Sequence, residues 1–204
     1  MHSVRLVCFA LGSWLAGGFF MAWIATEGFR GVDRLLDAPN PQARLEFKTL
    51  ESDGNFGKGA ARTLLRYQVA EQNRVYFESW EIVQLAVGSL LFFFLLFGTR
   101  EDKYSLAGVL LMLVLVAGQR FLLTPDLTLL GRSLDFVPLA DASPERGRFW
   151  LLHNAYSGME LAKWAIGLFL AGRLVVGHRH RHSRGDVRQQ LDMIDKADHR
   201  HIDG

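Results

Sequence analysis

The 204-residue chain has one cysteine, Cys8. A single thiol excludes an intramolecular disulfide, a paired-cysteine redox centre and a cysteine zinc site. Cys8 lies in an apolar stretch and reads as a small packing residue. Net charge is also scarce. The 23 lysines and arginines are almost balanced by 21 acids, leaving +2, so the whole chain has no electrostatic pull on nucleic acid. Proline is nearly confined to connections: Pro39, Pro41, Pro125, Pro138 and Pro144 all lie outside the long apolar stretches. No Ser/His/Asp signature is visible. Asn55-Phe-Gly-Lys-Gly59 lacks both the spacing of a phosphate loop and a preceding strand. The sequence also shows no internal repeat.

What it does have is four apolar stretches, at about residues 5–24, 80–98, 104–123 and 149–176. Each is long enough, at 1.5 Å per residue, to cross a hydrocarbon layer of about 30 Å. None shows the regular polar stripe of a helix on a soluble protein. A chain of this length cannot bury four such helices in water. The expected fold class is therefore all-α: a polytopic membrane protein, built as a bundle of four transmembrane helices. A helical extramembrane insertion, residues 25–79, joins the first two helices. Residues 177–204 form a basic, histidine-rich tail. The first stretch is about 20 residues long, contains Trp14 and Trp23, and is followed by no clean small-residue cleavage site. It reads as a retained helix rather than a cleaved signal.

Within the insertion, Val32, Leu35 and Leu36 predict a short amphipathic helix set off by Gly28 and Gly31 and ended by Pro39 and Pro41. A second short helix is expected over Gln42–Leu50, closed by a turn at Ser52-Asp-Gly-Asn-Phe-Gly57. From Ala60 to Gly98 strong helix formers run without proline, and without glycine before Gly88. One long helix is expected there, its first half outside the membrane. The charged hairpin Thr99–Lys103 makes helices two and three antiparallel neighbours. Thr124-Pro125 is expected to close helix three, with a short helix near Leu127–Ser133 in the loop that follows. The tail should carry another near Arg184–Lys196. Arginines on the hairpin and tail place both termini in the cytoplasm, in a bacterial inner membrane. Gly12, Gly17, Gly18, Gly88 and Ser89 read as points of close helix packing.

Ionisable residues at membrane depth are expensive and mark candidate positions. His153, Tyr156, Glu160 and Lys163 follow at spacings of three, four and three, which puts them on one helix face. Glu78 and Glu81 at the foot of helix two, with Gln84, and Gln119 and Arg120 in helix three point to the same outer end. The candidate polar cluster is thus Glu78, Glu81, Arg120, His153, Tyr156, Glu160 and Lys163. The simplest reading is mutual satisfaction: Arg120 pairs with Glu81 or Glu78, and Glu160 with Lys163. A substrate or proton site using His153, Glu160 and the helix-two glutamates is the alternative. A metal site is not expected, because the paired Glu-x-x-His motifs of di-iron bundles are missing. No catalytic residue, metal or cofactor is expected. In the tail, His178-Arg-His-Arg-His182 suits anionic lipid headgroups better than a metal. The expected partners are the lipid bilayer, those headgroups, and a second copy or another membrane protein.

The second half carries a resemblance. Arg120-Phe-Leu-Leu-Thr-Pro125, a variable loop, then Phe149-Trp-Leu-Leu-His153 and Tyr156-Ser157 together resemble the domain of unknown function of the transmembrane protein 205-like family and its bacterial relatives. The resemblance covers about residues 5–176 and is clearest from Tyr104 onward. It implies a four-helix membrane domain without an established reaction. It singles out Pro125, His153 and Ser157.

Overall fold

The computed structural model describes residues 2–52, 57–98, 103–137 and 143–202, with side chains over 5–48, 57–97, 103–137 and 143–175. Six α-helices follow in order: α1 (His2–Asp37), α2 (Pro41–Ser52), α3 (Lys58–Gly98), α4 (Lys103–Gly118), α5 (Thr124–Leu134) and α6 (Pro144–Ile202). A π-helical turn, Gln119–Leu123, joins α4 to α5. The described residues contain no strand. Three helical segments, Arg5–Asp37, Lys58–Phe97 and Lys103–Leu134, are long and apolar enough to cross a membrane. The apolar part of α6 carries Glu160, Lys163 and Arg173 and is not among them.

Local chemistry sets the helix starts. Asn40 accepts the Ala43 amide at 2.9 Å, and Pro41 fills the first helical position of α2. Ser143 and Pro144 repeat the device on α6, where Ser143 Oγ accepts the Arg146 amide at 3.3 Å. In both places a side-chain acceptor takes up a free first-turn N–H, and proline sits where its missing donor costs nothing.

Three expectations about breaks need correction. Gly28 and Gly31 do not interrupt α1, which runs on to Asp37. A helical glycine costs only about 1 kcal/mol, and at Gly28 close packing offsets it: a Cβ there would sit 3.0 Å from Val69 of α3. Pro125 does not end the helical path either. The Thr124 amide reaches back five residues to the Gln119 carbonyl, and the chain continues as α5. The wider π turn accommodates the carbonyl that the proline ring would crowd and the amide that it lacks. Finally, α6 passes through 184–196 without a fresh start. The turn at 53–56 and the hairpin at 99–102 lie outside the described residues.

Helices α1 and α3 form an antiparallel pair along most of their length. Trp14 meets Gln84, Ala25 meets Asn73, and Asp37 meets Arg62. Helix α4 packs on α3, and α6 closes against both α4 and α1. Glycines set several of these approaches. A Cβ at Gly17 would collide with the Trp80 ring, one at Gly108 would lie 2.9 Å from Leu170, and one at Gly167 would lie 2.7 Å from Leu15. Gly12, by contrast, has nothing within 4 Å and is not a packing point. The core is Val7, Leu11 and Trp14 of α1, Leu91 and Leu95 of α3, Val109, Met112 and Val116 of α4, and Leu170 of α6. Phe9, Leu90, Phe97, Leu122 and Phe169 face outward and are well exposed. A surface of this kind on a water-soluble monomer would be a large apolar liability.

Helix α5 is fastened to the middle of α3 by charge. Glu71 accepts from Arg132 Nε and Nη2, both at 3.0 Å, and from Arg74 Nη1 at 2.6 Å. Arg74 Nη2 reaches on to Asp135 at 2.9 Å. The hydrogen bonds from Arg132 and the charge of Arg74 hold the Glu71 carboxyl at about 2, below its ordinary 4.5. A depressed carboxyl stabilises the fold fully above the unfolded value and loses that contribution as pH falls through the folded one. The docking of α5 should therefore weaken between about pH 4.5 and pH 2. Glu71→Gln should flatten this acid limb in a plot of Tm against pH. An unchanged limb would show that Glu71 is not its source.

Candidate functional site

Directly above the apolar core a set of buried polar side chains ties four segments together. Lys163, one per cent exposed, lies at the centre. Its ammonium donates to Gln84 Oε1 of α3 at 2.7 Å, Gln119 Oε1 of the π turn at 2.7 Å and Glu160 Oε1 one turn back on α6 at 2.6 Å. Those three acceptors use all three N–H donors of a lysine. Gln84 Oε1 also accepts from Trp14 Nε1 at 2.9 Å, bringing in α1. The Gln119 amide donates to the Tyr156 carbonyl at 3.1 Å and to Glu160 Oε1 at 3.2 Å.

A second knot adjoins the first. Glu81, fully buried, accepts from Thr124 Oγ1 at 2.5 Å and from the Tyr156 hydroxyl at 3.0 Å, both on Oε1. Its other oxygen lies 3.6 Å from Arg120 Nη1. This is one of the two pairings expected for Arg120. Two acids, Glu81 and Glu160, thus face two bases, Arg120 and Lys163, and the cluster is formally neutral. Such balance is what makes buried charge tolerable.

Of the seven sequence candidates, Glu81, Arg120, Tyr156, Glu160 and Lys163 come together here. Glu78 and His153 do not join them. Glu78 lies off the knot, within electrostatic reach of Arg132. His153 stands on the same face of α6 as Tyr156 and Glu160, but at its level that face opens onto a cavity instead of α3. It is exposed, stacked at 5.9 Å on Phe149 and edge-on at 5.4 Å to Trp150. Four members lie outside those seven: Gln84 and Gln119, which the sequence sets at the same outer end, and Trp14 and Thr124, which it does not single out. The partners of Trp14 and Thr124 are 70 and 43 residues away in the chain, and no local spacing marks them.

The cavity has a volume of about 860 Å³ and lies between α1, α3, α5 and the start of α6. Tyr156 and Glu160 line it low down, with Trp80 and Trp164. Glu160 is thereby both paired with Lys163 and turned partly to open space. Its side chain is 22 per cent exposed. Among the described residues no group of three metal-ligating side chains converges. Comparison with protein-family models, with curated proteins and with solved structures gave no match.

Proposed function

We propose that the chain is a non-enzymatic, four-helix protein of the bacterial inner membrane, with α6 as its fourth crossing and both termini in the cytoplasm. In this reading the outer ends of α1 and α3, with α2, stand outside the membrane, and the arginine-rich tail meets anionic headgroups. Its role is that of a scaffold or small-transport component, in keeping with the resemblance to the transmembrane protein 205-like domain. The observation that carries the non-enzymatic part is the complete use of the Lys163 ammonium by Gln84, Gln119 and Glu160. A group with all its donors engaged and a neutralising partner is placed to hold helices, not to exchange protons.

One observation favours a second reading, a proton-coupled carrier. Glu160 and His153 both line the cavity. Proton uptake by vesicles containing the purified protein and a pH-sensitive dye separates the two. The scaffold reading expects no flux above that of empty vesicles. It also expects His153→Gln to change stability by no more than the ~1 kcal/mol of an ordinary hydrogen bond. Proton flux that disappears in His153→Gln, in protein that remains folded, would establish the carrier.

A further inference from the structure

The cavity is a tall groove. Its lining runs from Gly18 to Asp33 on α1, from Trp80 to Arg66 on α3 and from Trp164 to Phe149 on α6. Each path corresponds to about 22 Å of helical rise. At the floor α1 and α6 touch, Leu15 against Gly167 and Phe19 against Trp164 at 5.9 Å. Higher up, α1 follows α3 while α6 follows α5, and the cavity opens between them. The walls are largely apolar: Met21, Ala25, Phe29, Phe77, Trp150 and Leu161.

The rim is cationic. Arg62 and Arg66 share Asp33, each at 3.5 Å. Arg62 and Lys58 share Asp37, at 2.8 and 2.9 Å. Arg30, which lines the groove, forms no ion pair among the described residues. At this end Arg30 and Arg66 line the groove beside Asp33, an excess of one positive charge, and Lys58 and Arg62 with Asp37 lie just beyond the lining. The other charges along the groove are balanced, Arg74 and Arg132 by Glu71 and Asp135, and Glu160 by Lys163.

The membrane placement proposed above fixes the level of the groove. A hydrocarbon layer of about 30 Å takes up about 20 helical residues. Counted from the end of α3 at Gly98, it ends near Glu78. Trp80, at the floor, therefore lies at the hydrocarbon boundary. The apolar walls rise above it, where they would otherwise face water.

We infer that the groove holds one anionic phospholipid drawn up from the outer leaflet. One acyl chain would lie along Phe29, Phe77 and Trp150, and the phosphate would meet Arg30 and Arg66. The apolar walls supply cover for the chain, the open side between α1 and α6 reaches the hydrocarbon boundary, and the rim matches a negative head. The lipid would be held with its head above its neighbours, as a carrier or a hand-off site requires.

The test uses the full chain in nanodiscs of equal phosphatidylglycerol and phosphatidylcholine, with bound lipid counted by native mass spectrometry. The expected result is about one phosphatidylglycerol retained per chain in preference to phosphatidylcholine. Arg30→Gln with Arg66→Gln should reduce that preference by about 30-fold, given the attraction of each arginine for an anionic head. Ala22→Trp, which fills the groove wall and leaves the rim intact, should abolish retention of either lipid. Equal retention of both lipids by the natural chain, or retention unchanged in both variants, would overturn the inference. A separate measurement isolates the membrane reading. In a Cys8→Ser background, cysteines placed at Leu64 and Ser183 should label from opposite sides. Labelling from the same side would remove the membrane placement itself, whatever the lipid count.

Discussion

Lys163→Met should cost about 3 kcal/mol of stability, among the largest effects of any single substitution in the chain. Methionine matches the length of the lysine stem but brings no donor. Gln84 Oε1 and Gln119 Oε1 would lose their cation, and Glu160 would keep its charge with only the Gln119 amide beside it and no counter-charge. Removing one member of a buried pair is costly because the other remains desolvated. Combining Lys163→Met with Glu160→Gln should recover about half of the loss, since the unpaired charge is then gone. Thermal unfolding of the purified protein in one detergent, for the two single variants and the double, measures the coupling. Strict additivity would mean that the Lys163–Glu160 contact, at 2.6 Å, contributes nothing.

Gly88→Ala should destabilise by about 1–3 kcal/mol, although alanine is the better helix former. A Cβ at Gly88 would lie 2.6 Å from Leu113 Cδ2 on one side and 2.6 Å from Trp14 Cη2 on the other. Leu113 can turn away. Trp14 cannot readily do so, because its indole N–H is held by Gln84 Oε1. The clash is therefore transmitted into the Lys163 knot, and Gly88→Ala and Lys163→Met should be less than additive. Gly12→Ala is the control. With nothing within 4 Å of its Cβ position, it should be neutral or slightly stabilising. Equal losses at Gly12 and Gly88 would indicate a backbone effect and would rule out the packing explanation.

The sequence made the long helices legible wherever the signal was local. The freedom of Ala60–Val87 from proline and glycine announces α3, observed as Lys58–Gly98. The start of α6 is not legible in that way: the apolar stretch suggests Phe149, whereas the helix begins five residues earlier at Pro144, behind the Ser143 cap. The misread breaks share a cause. Gly28, Gly31 and Pro125 are weak helix residues by propensity, and each was read as a break. Packing on Val69 outweighs that tendency at Gly28, and the π turn outweighs it at Pro125. The site divides in the same way. Tyr156, Glu160 and Lys163 are linked by helical spacing and could be grouped from the sequence. His153 satisfies the same spacing but stands above the level where α1 and α6 part, a fact of tertiary geometry. Trp14 and Thr124 enter the site only through the register of α1 on α3 and the turn before Pro125.

The π turn at Gln119–Leu123 amounts to one residue more than an α-helical path between α4 and α5 would need. In an α-helix each residue rotates the chain by about 100°. A chain shorter by one residue here would keep its hydropathy profile, its length class and every polar side chain of the site. Yet everything after the deletion would turn by roughly a quarter of a circle, carrying Thr124 away from Glu81 and the α5 arginine away from Glu71. Related chains should therefore tolerate substitutions along this segment more readily than a change in its length. A gap of one residue at this point in a future alignment would mark a protein whose polar knot is wired differently.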